Sequence, residues 1–212
     1  MESAKKAVAE GAELLILDDG MQHRSLERDV EIVVLDRGDL FGRGGHLPLG
    51  LLRESLRSLK RADLLVVNSV ETVEEYEEVK KKLEPYSRSP VVGMRIKVAQ
   101  GKQLEGKLVA AFCGIAHCKR FFDTLKRCNA KIVSHTQKAD HHWFSLEELK
   151  EVENVAQRAG AELLVCTEKD AVKFPKQWKP QLPHIALEIE LECVFGKQEW
   201  DKCRSKWIKS TK

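Results

Sequence analysis

The sequence predicts an α/β protein of two layers of mostly parallel sheet joined by a β-ribbon. Three observations point there. Short aliphatic runs at 14–17, 31–35 and 64–67 alternate with helix-period segments, the pattern of strands buried on both faces and linked through helices. The alternation stops at Pro85 to Pro90 and restarts at Lys107. Between them Val92, Met94, Ile96 and Val98 alternate with polar or small neighbours, the two-residue period of a ribbon. The expected division is 1–90, a ribbon linker over 91–106, and a second α/β domain over 107–212.

Each element has a local reason. Ala4, Ala7 and Val8 share one face of a helix that Gly11 ends. The aliphatic run 14–17 then reads as a buried strand, closed by Asp18-Asp19-Gly20 with two carboxylates and a turn residue. Ligands in open α/β sheets collect outside the carboxyl ends of strands, and a strand-end Asp in a phosphoryl-transfer enzyme holds Mg²⁺ directly or through water; an Asp-Gly turn with a capping Asp is the plainer reading of the same residues. Arg28-Asp29 reads as a salt-bridged start to the next strand. The stretch 36–52 holds Gly38, Gly42, Gly44, Gly45 and Gly50 among Arg37, Arg43, His46 and Pro48. It reads either as a loop covering a phosphorylated or carboxylated substrate or as a mobile surface connection. An amphipathic helix is expected over 51–60, a buried strand over 62–68, and a charged helix over 72–83 whose Glu and Lys residues pair along a solvated face. The second set runs strand 107–112, helix 118–128, strand 131–134, helix 145–158, strand 162–166, helix 168–173, strand 185–191 and a terminal helix from Gly196. Ser145-Leu146-Glu147-Glu148 has capping-box spacing.

In order and spacing, Asp18-Asp19-Gly20-Met21-Gln22-His23-Arg24, then Leu47-Pro48-Leu49-Gly50-Leu51-Leu52-Arg53-Glu54, then Arg61-Ala62-Asp63, resembles the tetraacyldisaccharide 4'-kinase family. The likeness is close over 12–68 and continues through Ala111-Phe112-Cys113-Gly114, Asp140-His141 and Thr167-Glu168-Lys169-Asp170. It implies a phosphate-binding-loop kinase layer of Rossmann-like type, incomplete at its N-terminus, because that family's phosphate loop should precede the Asp-Asp-Gly by more than the 17 residues present. It implies phosphorylation by ATP, with Mg²⁺, of the 4'-hydroxyl of a tetraacylated disaccharide 1-phosphate in lipid A synthesis. Asp18 and Asp19 would hold Mg²⁺ and serve catalysis, His141 would support an acidic general base lying upstream, and Gln22, His23, Arg53 and Glu54 would bind substrate. The implied location is peripheral, on the cytoplasmic face of the inner membrane. The partners are the acylated lipid and an N-terminal kinase half, without which the 212 residues should bind Mg·ATP poorly and not turn over. The alternative is a non-catalytic remnant or split-chain partner that binds the lipid or another subunit.

Composition bounds the rest. The chain has 212 residues, 42% hydrophobic, with 36 basic against 33 acidic residues and a net charge of +3. No basic stripe interleaves with aromatics, so nucleic acid is not an expected partner. Six cysteines without a secretory signal fit a reducing compartment. No apolar run approaches the roughly 18 to 20 residues that span a bilayer, so any membrane contact is peripheral.

One stretch matches a nucleotide phosphate loop only in part. Gly101 to Lys107 matches Gly-x-x-x-x-Gly-Lys, but Leu108 stands where a hydroxyl should reach Mg²⁺ and the glycines precede a strand instead of following one. No nucleotide phosphate-binding residue is therefore assigned. Asp140-His141-His142-Trp143 stands before a capped helix, where His141 could orient a carboxylate or simply cap. Cys113, His117, Cys118, His135 and Cys166 lack paired metal-ligand spacing. Thr167 to Asp170 reads as a helix cap, a cleft-facing motif, or both.

Overall fold

The computed structural model describes residues 2–209; the outermost positions of the expected domain limits, 1 and 212, lie outside them. It divides the chain into two units, one formed by the chain through Ile96 together with the chain from Leu191 onward, the other by Lys97–Glu190.

In the first unit α1 (Glu2–Ala9) is followed by β1 (Ile32–Asp36), β2 (Leu64–Asn68), α2 (Val73–Leu83) and β3 (Val91–Val98). β1, β2 and β3 pair in parallel, Ile32 beside Leu64 and Leu65 beside Val91, and the sheet order is β1-β2-β3 and then β8 (Ile189–Phe195). The centre of the sheet is β2, whose Leu64, Leu65 and Val67 are fully buried. Its alternate residues face opposite ways. Leu65 and Val67 join Val79 and Leu83 of α2, while Leu64 and Val66 join Cys203 of α7 (Lys197–Lys209). α2 starts at a capping box: Thr72 Oγ1 accepts from Glu75 N at 3.2 Å and the Glu75 carboxylate accepts from Thr72 N at 3.3 Å. The face lined by Ile32, Val34, Val66, Met94, Leu191 and Trp200 is only partly covered, leaving an apolar groove of about 360 Å³.

The second unit holds α3 (Gly101–Leu104), β4 (Leu108–Cys113), α4 (Cys118–Arg127), β5 (Lys131–Gln137), α5 (Leu146–Arg158), β6 (Leu163–Thr167), α6 (Glu168–Ala171) and β7 (His184–Leu187). Its four strands are all parallel in the order β5-β4-β6-β7. Val109, Ala111 and Cys113 of β4 pack with Cys118, Phe121 and Leu125 of α4. Ala110 and Phe112 pack with Phe144 and with Leu149, Val152 and Ala156 of α5. Helices thus cover both faces, as a doubly wound parallel sheet requires. The strand order reverses at β4, so the crevice where such folds bind ligands lies at its carboxyl end, Gly114.

Four expectations change. Residues 14–17 form no strand: Leu14, Leu15, Ile16 and Leu17 are exposed, Ile16 by 82%. No described strand pairs with them, and unpaired backbone groups stay in water. The helix expected over 51–60 is a 3₁₀ segment, Leu56–Arg61. The amides of Leu51 and Leu52 are already spent on Gly42 O at 2.8 Å and Gly45 O at 3.0 Å, which leaves too little chain for an α-helix before β2. The stretch 91–98 is the third strand of the first sheet, so the chain crosses between units after Ile96 and again after Glu190. The strand expected over 185–191 divides at Glu188 into β7 of one sheet and β8 of the other.

Thr72→Ala should remove the Oγ1 half of the α2 capping box, keeping the residue-72 amide that donates to Glu75, and cost about 1 kcal/mol, read as a lower urea midpoint at unchanged slope. An unchanged midpoint would show that the cap contributes nothing.

Candidate functional site

The Asp-Asp-Gly loop has little regular structure and is held by arginines. Asp19 sits in the left-handed region at φ 53° before a single 3₁₀ turn, Gly20–Gln22. Its carboxylate accepts from Arg53 Nη1 at 2.6 Å, with both side chains more than half exposed. Arg28 donates to Gly20 O at 2.5 Å and His23 O at 3.1 Å while pairing with Glu31 at 2.8 Å. Arg61 donates to Met21 O at 3.3 Å and pairs with Glu54 at 2.5 Å. Glu54 also takes Arg24 at 3.3 Å. The side-chain hydrogen bond from Ser58, then the charges of Arg61 and Arg24, hold the Glu54 carboxyl below its usual range.

Six expected site residues of the first unit are therefore linked. Asp18, Asp19, Gln22 and His23 share the pinned loop, and Arg53 and Glu54 bind it directly or through Arg24 and Arg61. Asp18 and Asp19 do not close a strand as expected, since 14–17 is not one. Arg24, Arg28 and Arg61 escaped the sequence reading as site residues; the only signal was that basic residues directly flank the motif. The carboxylates suit Mg²⁺, a hard cation bound by one or two carboxylates plus waters and substrate phosphates, and Asp19 already draws a cationic group to 2.6 Å.

In the second unit the carboxyl ends of β4, β5 and β6 are tied together. Asp170 is fully buried. Its Oδ2 accepts from Gly114 N at 3.1 Å and from the Thr167 hydroxyl at 2.7 Å, while Oδ1 has no hydrogen-bond partner among the described residues. Thr167 Oγ1 accepts from Asp170 N at 3.2 Å, so Thr167 is an N-cap. A Cβ on Gly114 would lie 2.9 Å from His142 Cβ and 3.3 Å from Ala139 O, so only glycine lets the next loop approach. That loop carries His141 at φ 60°, its side chain 86% exposed and 3.7 Å from Asp140. The neighbours of His141 are clamped. Glu148 takes His142 Nε2 at 3.0 Å and Lys138 Nζ at 2.7 Å while completing the Ser145 capping box. The Lys138 bond first, then the Ser145 amide and His142, depress the Glu148 carboxyl to about 2.

Two other motifs resolve as structure. Lys107 of the Gly-x-x-x-x-Gly-Lys match pairs with Glu162 at 3.0 Å, and its first glycine opens the four-residue α3. Burial drives the Cys113 thiol well above its ordinary value and Cys166 to about 12, with the Asp170 charge adding to both, so neither is a thiolate at neutral pH. Among the described residues no three His, Cys, Asp or Glu side chains group closely enough to hold a metal.

The two units define a parallel α/β protein in which arginines meet one carboxylate-bearing loop. Comparison with known proteins is more specific. Residues 1–207 match the sequence profile of the family described as tetraacyldisaccharide-1-P 4'-kinase. The tetraacyldisaccharide 4'-kinase of Aliivibrio salmonicida is 42% identical over 173 residues, covering 81% of this chain and 48% of that protein. That of Halothermothrix orenii is 33% identical over 188 residues, covering 78% and 49%. The crystal structure of LpxK from Aquifex aeolicus in complex with ATP superposes with a TM-score of 0.57 at 27% identity, over 91% of this chain and 56% of that one. The chain belongs to the tetraacyldisaccharide 4'-kinase family, and its fold is that of the kinase. It spans about half the length of the curated relatives it matches.

The Glu148 clamp has a pH signature. A carboxyl depressed from 4.5 to about 2 on folding stabilises the protein above pH 4.5 and loses that contribution as pH falls from there to about 2. Because the side chain is partly solvated, its worth is about 1 kcal/mol. Glu148→Gln should lower the urea midpoint at pH 6 and narrow its gap to wild type at pH 3; equal gaps at both pH values would contradict the clamp.

Proposed function

We propose that this chain forms part of a kinase that transfers the terminal phosphoryl group of ATP to the 4'-hydroxyl of a tetraacyldisaccharide 1-phosphate. One observation carries this reading: Arg53 pairs with Asp19 of the motif loop, while Glu54 pairs with Arg24 of that loop and with Arg61, which donates to the loop carbonyl of Met21. In the transfer, the sugar oxygen bonds to the terminal phosphorus as that phosphorus leaves the bridging oxygen, ADP keeps the electron pair, and the hydroxyl proton passes to an acidic side chain. Asp18 and Asp19 would hold Mg²⁺, whose charge would offset that of the phosphates. Arg53 and Glu54 orient the acceptor, with Gln22 and His23 beside them. No described residues form a backbone cradle for the β and γ phosphates, so those contacts are not assigned to this chain.

A second reading is a split or non-catalytic form that binds the lipid or a polypeptide partner. It is favoured by the exposed run 14–17 and by the half-covered face of the first sheet, where Val34 is 61% exposed and Asn68 Oδ1 is buried without a hydrogen-bond partner among the described residues.

The test supplies radiolabelled ATP, Mg²⁺ and tetraacyldisaccharide 1-phosphate to the chain alone and to the chain plus the upstream half of a relative. Labelled lipid should form in the supplemented reaction and fall on the order of 100-fold with Asp19→Asn, the scale of losing a charge-stabilising group. Lipid binding without product in either mixture would overturn the kinase reading in favour of the second.

A further inference from the structure

The glycine-rich stretch after β1 is an ordered loop that pushes leucines into solvent. Gly44 N donates to Phe41 O at 2.8 Å, Leu51 N to Gly42 O at 2.8 Å, Leu52 N to Gly45 O at 3.0 Å, Leu47 N to Leu52 O at 3.2 Å and Gly50 N to His46 O at 2.9 Å. Gly50 is buried in this knot, where a Cβ would lie within 2.6 Å of the Gly42 and Gly45 carbonyl oxygens. The knot spends backbone groups on one another and leaves the side chains outside. Leu47, Leu49 and Leu51 are 61%, 92% and 53% exposed.

Three large aliphatic side chains in five residues are more than the scattered single exposures normal on a soluble surface. The sequence that flanks them is basic. Residues 37–61 contain six Arg or Lys and two Asp or Glu, a net +4, whereas the whole chain carries +3. Of these, Arg43, Arg57 and Lys60 are exposed and enter no ion pair among the described residues.

We propose that residues 47–51 are a membrane-docking tip: Leu47, Leu49 and Leu51 enter the interfacial region of an anionic bilayer, and Arg43, Arg57 and Lys60 lie against its headgroups. An apolar insertion with exposed cations close by in the chain is the chemistry that binds such interfaces. The amides of Leu47, Gly50 and Leu51 are bonded within the knot, which leaves fewer polar groups to be desolvated at an interface. The tip leads within two residues to Arg53, which holds Asp19, so docking brings the phosphorylation site to the membrane surface. That last step rests on the kinase reading; the docking itself does not.

The experiment is vesicle co-sedimentation of the full chain, with no kinase substrate present. Vesicles are phosphatidylcholine alone or with about one third phosphatidylglycerol. The chain should prefer the anionic vesicles and lose that preference as salt rises through the range that screens exposed charges. Leu49→Asp and the pair Arg57→Glu with Lys60→Glu should each cut partitioning at least 10-fold, while Ile16→Asp, on the other exposed aliphatic run, should leave it unchanged. Because Leu49 is exposed, Leu49→Asp should keep the wild-type far-ultraviolet spectrum and unfolding midpoint. Leu49→Trp should show a blue-shifted difference emission on anionic vesicles relative to wild type. The proposal is overturned by equal partitioning of Leu49→Asp and wild type, by loss with Ile16→Asp instead, or by a Leu49→Trp shift that appears only when the upstream half of a relative is added, which would make the tip a protein contact. Failure of phosphorylation leaves these readouts untouched, so the two readings fail separately.

Discussion

A parallel strand that is apolar on both sides has to be covered on both sides, and this constraint governs most of the structure. The second unit meets it in full: α4 and α5 close opposite faces of β4, and Phe112 is enclosed by Phe144, Phe174 and Trp178. The first unit meets it at β2 and less well toward its edge. α2 seals one face, whereas α7 covers only part of the other. Exposed Val34 and the apolar groove are two consequences of that partial cover.

Where regular structure is lacking, charge does the positioning. The Asp-Asp-Gly loop is attached by Arg28 and Arg61, which donate to its carbonyls, and by Arg53, which meets Asp19. Each exposed pair is worth little alone. The network is firmer where it is less solvated, at Glu54, which serves two arginines and is 13% exposed. A loop held this way keeps its carboxylates in water.

The second unit supports its histidine by different means. Asp170 joins the ends of β4 and β6, Gly114 gives the following loop room to approach, and Glu148 grips the residues on either side of His141. The same carboxylate caps α5, so helix start and loop geometry are coupled through one side chain.

By itself the sequence determined the strands with a full apolar run, the helices with caps, and the family. β2, β4 and β6 are legible because burial on both faces leaves an uninterrupted aliphatic signature, and Ser145 with Glu148 marks α5 because a cap is local chemistry. The motif residues Asp18, Asp19, Arg53 and Glu54 were legible as a pattern. Only the tertiary structure decided what depends on distant neighbours. Residues 14–17 have a strand's composition but no described strand beside them, and backbone pairing is a property of two segments. Val91 to Val98 became a sheet strand because β2 was there to accept it, and the chain after Glu190 returned to the first sheet because β3 had an open side. Arg24, Arg28 and Arg61 were invisible as loop anchors since nothing in a charged residue's identity names the carbonyl or carboxylate it will meet. The outward leucines of 47–51 depend on Gly42, Gly45 and Gly50 closing a backbone knot, a steric fact that exists only once the chain has turned.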